Sequence, residues 1–320
     1  MKHRSNIARI VLIACLAFVP VFGMAAAAED RFPADHTSRI GMQVVFAEKD
    51  DSYKATYIPD VVYKTVGDRS LRLQMLVPGG NNGPYPLIVY IQGSAWMAQN
   101  LYSAIPQLSD FAHDGYVVAS VEYRHSGEAL FPAQLEDVKS AIRFLRANAD
   151  KYKIDPNRVG VWGDSSGGHL AALVGTTEGL SRFTSSDHAD QSDAVSAVVD
   201  FYGPTDFLKM DDYPSIIEHN APDSPESRLV GGPIQENREK VQEANPIAYI
   251  SKDKVLPPFL IMHGDEDQLV PFNQSVLLYD ALKQANQNVT FYKVKGGGHG
   301  VNFWTKEVLD IVKQFFDAYL

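Results

Sequence analysis

The sequence of 320 residues contains a single cysteine, Cys15, which lies close to the N-terminus. If the segment around it is removed, the mature protein has no disulfide bond and no cysteine-ligated metal. The chain is also short of positive charge, with 29 Lys and Arg residues against 39 Asp and Glu residues. Such a surface repels polyanions, so nucleic acid and acidic lipid are excluded as favoured partners.

The apolar stretch near the N-terminus, Ile10–Phe22, is too short for a comfortable membrane span. Basic residues precede it and the small residues Ala26, Ala27 and Ala28 follow it, a pattern that predicts a cleavable signal peptide over residues 1–28. We therefore expect a secreted or periplasmic protein without stable membrane association. An uncleaved anchor, or lipoprotein processing at Cys15, remains the alternative. Loss of the segment removes three basic and no acidic residues, so the mature balance is 26 minus 39, or −13.

Six residues in the middle of the chain carry the strongest motif, Gly163-Asp164-Ser165-Ser166-Gly167-Gly168. It stands between an apolar, strand-like stretch and a helix-like stretch, and it predicts a strand, a tight turn and a helix. A turn that strains its central serine needs residues almost without side chains two positions before and after it, as Gly163 and Gly167 are. Ser165 is therefore the candidate nucleophile. Ser166 would present a backbone N–H to an oxyanion at the first turn of the helix.

A candidate acid follows the apolar run Phe259–Met262, in a tight acidic loop. The loop lies where a buried strand of a parallel sheet would reach its carboxyl end, the edge at which ligands bind. Three carboxylates compete there: Asp265, Glu266 and Asp267. We expect Asp265 to form the turn by capping the Gly264 bend, and Asp267 to face the site. Taken alone, each of the three also fits a solvated loop charge.

A candidate base follows a strand-like stretch in Lys295-Gly296-Gly297-Gly298-His299-Gly300. Glycines on both sides of His299 allow close backbone approach and free orientation of its ring. His263 is the rival base, but it precedes the acid in the sequence. His169, on the helix after Ser165, is expected to pack in the core.

The loop Gln92-Gly93-Ser94-Ala95-Trp96 follows an apolar strand and is rich in small residues. Small residues let backbone N–H groups point into a site, so Ser94 and Ala95 are candidate oxyanion donors together with Ser166. Trp96, and Trp304 with Phe303 just after the candidate base, are candidate aromatic walls for substrate. Core packing is an equally good interpretation of these aromatic residues.

Alternation of apolar and polar segments predicts a hairpin followed by a mostly parallel sheet flanked by helices. A polar segment rich in Pro, Asp, Ser and Glu, residues 206–244, interrupts this alternation and predicts a small cap or substrate-facing excursion, or a surface loop with a helix. The strands are expected at Val61–Thr65, Leu71–Val77, Leu87–Ile91, Val117–Val121, Arg158–Trp162, Val195–Asp200, Phe259–Met262 and Val289–Val294. The helices are expected at Gln134–Lys151, His169–Val174, Gln274–Gln287 and Lys306–Leu320.

The chain order of oxyanion loop, serine, acid and histidine resembles that of the α/β-hydrolase superfamily. Four local phrases resemble the bifunctional feruloyl and acetyl-xylan esterases, which are related to the hormone-sensitive-lipase-like esterases. These phrases are Val121-Glu122-Tyr123-Arg124, Phe131–Val138, Asp155-Pro156-Asn157-Arg158 and Gly163–Leu170. The resemblance covers Val61–Leu320, after the signal peptide and an N-terminal extension over residues 29–60. It implies an α/β-hydrolase fold with one catalytic domain.

The resemblance also implies a function, a serine esterase that acts on acetyl or feruloyl esters of xylan-type polysaccharide. In the implied mechanism His299, oriented by Asp267, activates Ser165 without a metal or cofactor. The family usually carries His-Gly-Gly-Gly in the oxyanion loop, where this chain has Gln92-Gly93-Ser94-Ala95. We expect the side chains at positions 94 and 95 to narrow the rim of the pocket. Alternatives are a general short-chain or lipase-like carboxylesterase, an exopeptidase, an arylformamidase, and a binding module with an inactive triad.

Overall fold

The computed structural model describes residues 35–46, 54–80 and 83–320. They belong to two compact units, one that ends at Glu48 and one from Lys49 to Leu320. The described part of the first unit is irregular chain with one turn. The predicted signal peptide and Cys15 lie outside the described residues. No helix in the described ranges is both long enough and apolar enough to cross a bilayer.

The larger unit is built on one sheet of eight strands. They are β1 (Ala55–Val66), β2 (Arg69–Pro78), β3 (Tyr85–Ile91), β4 (Val117–Val121), β5 (Ile154–Asp164), β6 (Ala197–Phe201), β7 (Phe259–Gly264) and β8 (Val289–Val294). Their spatial order is β1-β2-β4-β3-β5-β6-β7-β8. The pairs β1–β2 and β2–β4 are antiparallel, and all the others are parallel. The six strands from β4 to β8 in this order are parallel to one another and therefore end at one common edge.

Helices cover both faces of this sheet. They are α1 (Ile105–His113), α2 (Ala133–Ala147), α3 (Ala149–Tyr152), α4 (Ser166–Thr176), α5 (Pro225–Val230), α6 (Arg238–Glu243), α7 (Asn273–Gln284) and α8 (Lys306–Tyr319). The apolar sides of α1 and α8 pack on one face, with Phe111 and Phe316 fully inside. The apolar sides of α2, α4 and α7 pack on the other. Burial of these apolar faces from water is the main stabilising contribution to such a layered fold.

The predicted α/β-hydrolase fold is confirmed, and all eight predicted strands are present. The first strand starts at Ala55 rather than Val61, inside the predicted extension over residues 29–60. The helix predicted over Gln134–Lys151 is interrupted at Asn148, which was not expected. There the Asn148 side chain donates to the Phe144 carbonyl oxygen at 2.8 Å, and its backbone leaves the helical region with φ −111° and ψ 23°.

The predicted excursion over residues 206–244 is confirmed between β6 and β7. It contains a 3₁₀ turn at Phe207–Asp212 and the two short helices α5 and α6. Short helices are marginal in isolation, so tertiary packing must hold them in place. Leu229 and Val230 of α5 are fully buried in the core beneath the excursion. The segment is therefore an ordered part of the domain, at the edge where the parallel strands end.

Candidate active site

The turn between β5 and α4 holds Ser165 in a strained conformation, with φ 53° and ψ −125°. The two glycines around it are required by close contacts. A Cβ atom on Gly163 would collide with the carbonyl oxygen of Gly167, and one on Gly167 would collide with that of Ile91. This is the geometry of a nucleophile elbow, in which a sharp strand-to-helix turn exposes a serine at the carboxyl edge of the sheet.

Ser165 begins a chain of hydrogen bonds that crosses three loops. Its Oγ lies 2.9 Å from Nε2 of His299, and Nδ1 of His299 lies 2.8 Å from Oδ2 of Asp267. Because an ionised carboxylate only accepts, the proton on His299 lies on Nδ1 and leaves Nε2 free to accept from the serine. The structure thus brings together the three residues predicted as nucleophile, base and acid, in the arrangement that general-base activation of a serine requires.

The Asp267 side chain is inaccessible to solvent, and both of its oxygens accept hydrogen bonds. Its Oδ1 accepts from the backbone N–H groups of Leu269 and Val270, at 2.8 and 3.0 Å. Burial favours the neutral acid, but hydrogen bonds from His263 and His299 prevail and hold the pKa of Asp267 well below its ordinary value. Asp267 is therefore ionised at neutral pH.

The rival candidates occupy other positions. His263 is fully buried behind the acid, where its Nε2 lies 3.0 Å from the Val270 carbonyl oxygen and 3.3 Å from Oδ2 of Asp267. It therefore contacts the same carboxylate oxygen of Asp267 that His299 contacts. Asp265 is exposed and accepts from the backbone N–H of Gly296 at 2.7 Å, so it links two loops instead of capping Gly264.

An aromatic residue that the sequence did not single out supports the histidine. The ring of Tyr202 lies 4.7 Å from that of His299, between centroids, and is itself buried. Its hydroxyl accepts from Nε1 of Trp304 at 3.1 Å. Phe303, one of the three candidate aromatic walls, is fully buried against Phe201 and Tyr202 and belongs to the core.

The oxyanion loop differs in detail from expectation. The backbone N–H of Ser94 donates to the hydroxyl oxygen of Ser166 at 2.9 Å, so this donor already has an acceptor. The N–H groups of Ala95 and Ser166 have no acceptor within the described residues. Ala95 and Trp96 both have positive φ, 52° and 53°, a conformation that costs energy for residues other than glycine. The two unengaged N–H groups are those that remain available to a developing oxyanion.

Packing from behind holds this strained loop. Trp96 is 1% exposed, and its Nε1 donates to Nδ1 of His169 at 3.2 Å. His169 is buried on α4, as predicted, and burial lowers its pKa to about 4. The Trp96 carbonyl oxygen also accepts from Ser126 N–H at 2.8 Å. Trp96 therefore acts chiefly as an anchor for the loop, and little of its ring is available to a substrate.

The residue before the nucleophile ties the elbow to the oxyanion loop. Oδ1 of Asp164 accepts from the hydroxyl of Tyr90 at 2.6 Å and from the backbone N–H of Gly93 at 3.0 Å. Burial raises the pKa of Asp164 above its ordinary value. This carboxylate fixes the start of the loop that carries Ala95.

A cavity of about 350 Å³ opens above Ser165. Its walls come from the oxyanion loop, the acid and histidine loops, and the excursion between β6 and β7. Trp304 contributes to the wall, and Trp96 also borders the cavity although it is almost wholly buried. A second cavity of about 380 Å³ lies beside the first and shares Leu269 and His299 with it. Within the described ranges, no cluster of three His, Cys, Asp or Glu side chains is arranged to hold a metal ion.

Sequence reasoning missed two residues in the wall of the first cavity. His219 and Glu226 lie in the excursion, are almost wholly buried, and contact each other at 3.0 Å between Nδ1 and Oε1. The available signal was weak. A Ser-Pro-Glu sequence at residues 224–226 is typical of a helix start, which places Glu226 in the first turn of α5, but nothing local indicates that this turn faces the site.

Several known proteins that this chain is similar to are named as esterases or ester hydrolases. The family model described as BD-FAE matches residues 73–282. The probable carboxylic ester hydrolase LipM of Mycobacterium tuberculosis is 33% identical over 66% of this chain and 48% of its own length. Esterase LipC of the same organism is 31% identical over 68% of this chain and 53% of its own length. The chain thus spans about half the length of these curated relatives.

Two solved structures are similar over most of this chain. A truncated form of a carbohydrate esterase from gut microbiota has a TM-score of 0.74 and 35% identity, covering 84% of this chain and 97% of its own. A bifunctional GH43-CE protein of Bacteroides eggerthii has the same TM-score and 34% identity, covering 85% of this chain and 38% of its own. The elbow, the fold and these matches agree, and the chain belongs to the BD-FAE family of α/β-hydrolase esterases.

Proposed function

We propose that this protein is a serine carboxylic-ester hydrolase whose triad is Ser165, His299 and Asp267. The observation that carries the proposal is the contact of 2.9 Å between Oγ of Ser165 and Nε2 of His299, at the floor of an open cavity. Two unengaged backbone N–H groups, of Ala95 and Ser166, lie in the loops beside this serine. Membership of an esterase family supports the same reaction class.

In the proposed mechanism His299 Nε2 takes the proton of Ser165 as Oγ attacks the ester carbonyl carbon. The carbonyl oxygen becomes an oxyanion, which the N–H groups of Ala95 and Ser166 stabilise. Collapse of this intermediate breaks the bond to the alcohol oxygen, which receives the proton from His299, and leaves an acyl group on Ser165. Water, deprotonated by His299, then releases the acid and restores the serine.

The finer proposal is that the substrates are acetyl or feruloyl esters of xylan-type polysaccharide. One neighbour in structure, at 35% identity, is named as a carbohydrate esterase, and another, at 34% identity, is named as a bifunctional GH43-CE protein. The second cavity, which shares His299 with the first, gives room for a substrate that extends past the reacting ester. Exposed apolar side chains, Ile216 and Val301, line this extension and offer surface on which a sugar ring packs.

Export is part of the proposal. The pattern of the first 28 residues supports a signal peptide, and plant polysaccharide is an extracellular substrate. The negative net charge agrees with a neutral substrate and gives no reason to expect a nucleic acid partner. Analysis of the mature N-terminus by mass spectrometry tests the cleavage site. Acylated Cys15 at the mature N-terminus would replace simple export with lipoprotein processing.

The reaction class is tested with Ser165→Ala and a panel of esters. We expect kcat to fall by about four to six orders of magnitude while the circular dichroism spectrum is unchanged. An organophosphate should label Ser165 in the wild-type protein and no serine in the variant. Labelling at Ser166, or hydrolysis that survives the substitution, contradicts the proposed nucleophile.

The substrate class is tested with acetylated xylan, methyl ferulate, nitrophenyl esters of increasing chain length and dipeptide amides. We expect kcat/KM for acetyl and feruloyl esters of carbohydrate to exceed that for esters of eight or more carbons, because side chains at positions 94 and 95 narrow the rim. A steady increase with acyl length, without release of acetate or ferulate from xylan, would identify a lipase-like enzyme. Faster cleavage of amides would identify a peptidase or an arylformamidase.

A further inference from the structure

A buried carboxylate that the proposed mechanism does not use lines the cavity above Ser165. Glu226 stands in the first turn of α5, where the Ser224 hydroxyl caps the helix by accepting from Ser227 N–H at 3.1 Å. The Glu226 side chain is 3% exposed, and it forms part of the same wall as Ile217 and His219. The excursion thus brings an ionisable group next to the place where an ester binds.

One oxygen of this carboxylate is bound by His219. Nε2 of His219 lies 3.1 Å from the Leu269 carbonyl oxygen and 3.2 Å from Oγ of Ser215, and the Ser215 hydroxyl itself donates to Leu269. Nε2 therefore faces acceptors and carries a proton. On the other side of the ring, Nδ1 lies 3.0 Å from Oε1 of Glu226, which requires a proton between them.

The contact with Glu226 favours the protonated form of the His219 ring. Burial by itself would lower the pKa of His219, but the hydrogen bond and charge of Glu226 prevail and raise it. This direction favours an imidazolium beside a carboxylate, an arrangement with no net charge. A further cation in the cavity would gain little, because the imidazolium opposes the attraction of the carboxylate. A neutral donor does not suffer this opposition.

The second oxygen of Glu226 has no partner. Oε2 is buried and accepts no hydrogen bond from the described residues. Leaving a buried carboxylate oxygen without a donor is costly, whereas a donor in the adjoining cavity would form a charge-assisted hydrogen bond. The cavity that Glu226 lines is the one into which the ester must enter to reach Ser165.

We propose that Oε2 of Glu226 accepts a hydrogen bond from a hydroxyl group of the bound ester, and that this contact makes the enzyme prefer hydroxylated esters. The inference deepens the proposed function and rests on it. The hydroxyl has two possible sources, the alcohol side of the ester, as in a partly acetylated sugar, or the acyl side, as in a phenolic cinnamoyl group. Both are the same chemistry at Glu226.

Two pairs of matched substrates distinguish these sources. The alcohol-side pair is trans-2-hydroxycyclohexyl acetate and cyclohexyl acetate, and the acyl-side pair is ethyl 4-hydroxycinnamate and ethyl cinnamate. For each pair we compare the ratio of kcat/KM, hydroxylated over plain, between wild type and variant, so that intrinsic differences in reactivity cancel. A hydrogen bond to a charged group predicts that Glu226→Leu lowers this ratio about tenfold or more in one pair.

Glu226→Gln keeps the size of the side chain and an acceptor oxygen but removes the charge, and it remains informative if the leucine variant does not fold. We expect it to lower the same ratio about fivefold, less than Glu226→Leu does, because a neutral acceptor bonds more weakly. The matched control is Asp223→Asn, in the same excursion, whose side chain is 82% exposed. It should leave both ratios unchanged.

The outcomes separate this inference from the proposed function. A ratio that falls in either pair for the Glu226 variants, and not for Asp223→Asn, supports the inference and identifies which side of the ester carries the hydroxyl. If the ratios of both pairs in Glu226→Gln equal those of wild type, the inference is overturned. The proposed function still stands in that case, provided that hydrolysis of the plain esters depends on Ser165. Absence of hydrolysis of all four esters, and of the nitrophenyl esters, overturns the proposed function itself.

Discussion

The substitution Asp267→Asn tests how the acid acts, because the structure determines which way the new amide must face. Oδ1 of Asp267 accepts from two backbone N–H groups, of Leu269 and Val270. If the asparagine oxygen keeps this position, its amide nitrogen faces Nδ1 of His299. If the side chain flips, its nitrogen meets both backbone donors. In the first arrangement the amide nitrogen faces one unfavourable donor, Nε2 of His263. In the flipped arrangement it faces two, the backbone N–H groups, so we expect the first.

This orientation reverses the hydrogen bonding of the histidine. An amide nitrogen donates, so Nδ1 of His299 must accept and its proton moves to Nε2. Nε2 then faces Oγ of Ser165 with a proton attached and is unable to accept another. The predicted loss in kcat is about 10⁴, the size known for the equivalent change in a serine protease triad, or about 5 kcal/mol of transition-state stabilisation.

The assay is steady-state hydrolysis of nitrophenyl acetate, with Asp265→Asn as the matched control. Asp265 is exposed and contacts only the backbone N–H of Gly296 among the described hydrogen bonds of its side chain, so its variant should lose less than about threefold. Thermal unfolding verifies that both variants are folded. A loss of less than tenfold in Asp267→Asn, or a larger loss in Asp265→Asn, would refute this account of the acid.

Two further predictions concern residues that support the site. Burial lowers the pKa of His169 to about 4, below its ordinary 6.5, so its contribution to stability is complete above pH 6.5 and is lost as the pH falls towards 4. The destabilisation caused by His169→Gln, measured by urea unfolding, should therefore shrink by about 2 kcal/mol between pH 7 and pH 4.5, and a cost independent of pH would contradict this. Ser166→Ala removes the acceptor of the Ser94 N–H and should lower kcat about three- to tenfold, with organophosphate labelling of Ser165 retained. Complete loss of labelling would instead assign Ser166 to the nucleophilic role.

The parts of the site that could be predicted from the sequence are those in which chemistry constrains the backbone locally. The elbow needs glycine on both sides of Ser165, because any Cβ atom there would meet a carbonyl oxygen. The loop that carries His299 is recognisable by its glycines, because they allow the backbone to approach neighbouring groups closely. Likewise, loops after buried parallel strands reach a common edge, so the order of strands predicted that Asp267 and His299 lie near each other.

The remainder depends on contacts between distant segments, which no local pattern records. The engagement of the Ser94 N–H by Ser166 joins residues 72 positions apart. Trp96 was a candidate wall, and its burial against His169 and Phe207 follows from how three separate elements pack. The interruption at Asn148 is a smaller example, since asparagine reduces helix propensity only slightly and its competing hydrogen bond decides the outcome.

Leu269 of the acid loop contacts both the acid and the excursion, so specificity and catalysis are connected at this residue. The N–H of Leu269 donates to Asp267, and its carbonyl oxygen accepts from Nε2 of His219. In the same loop, the Gln268 carbonyl oxygen accepts from the N–H of Ile216. Side chains of the excursion that contact only the cavity can therefore vary without moving the triad. His219 differs from these side chains, because its ring pairs with Glu226 and also binds the loop that orients Asp267.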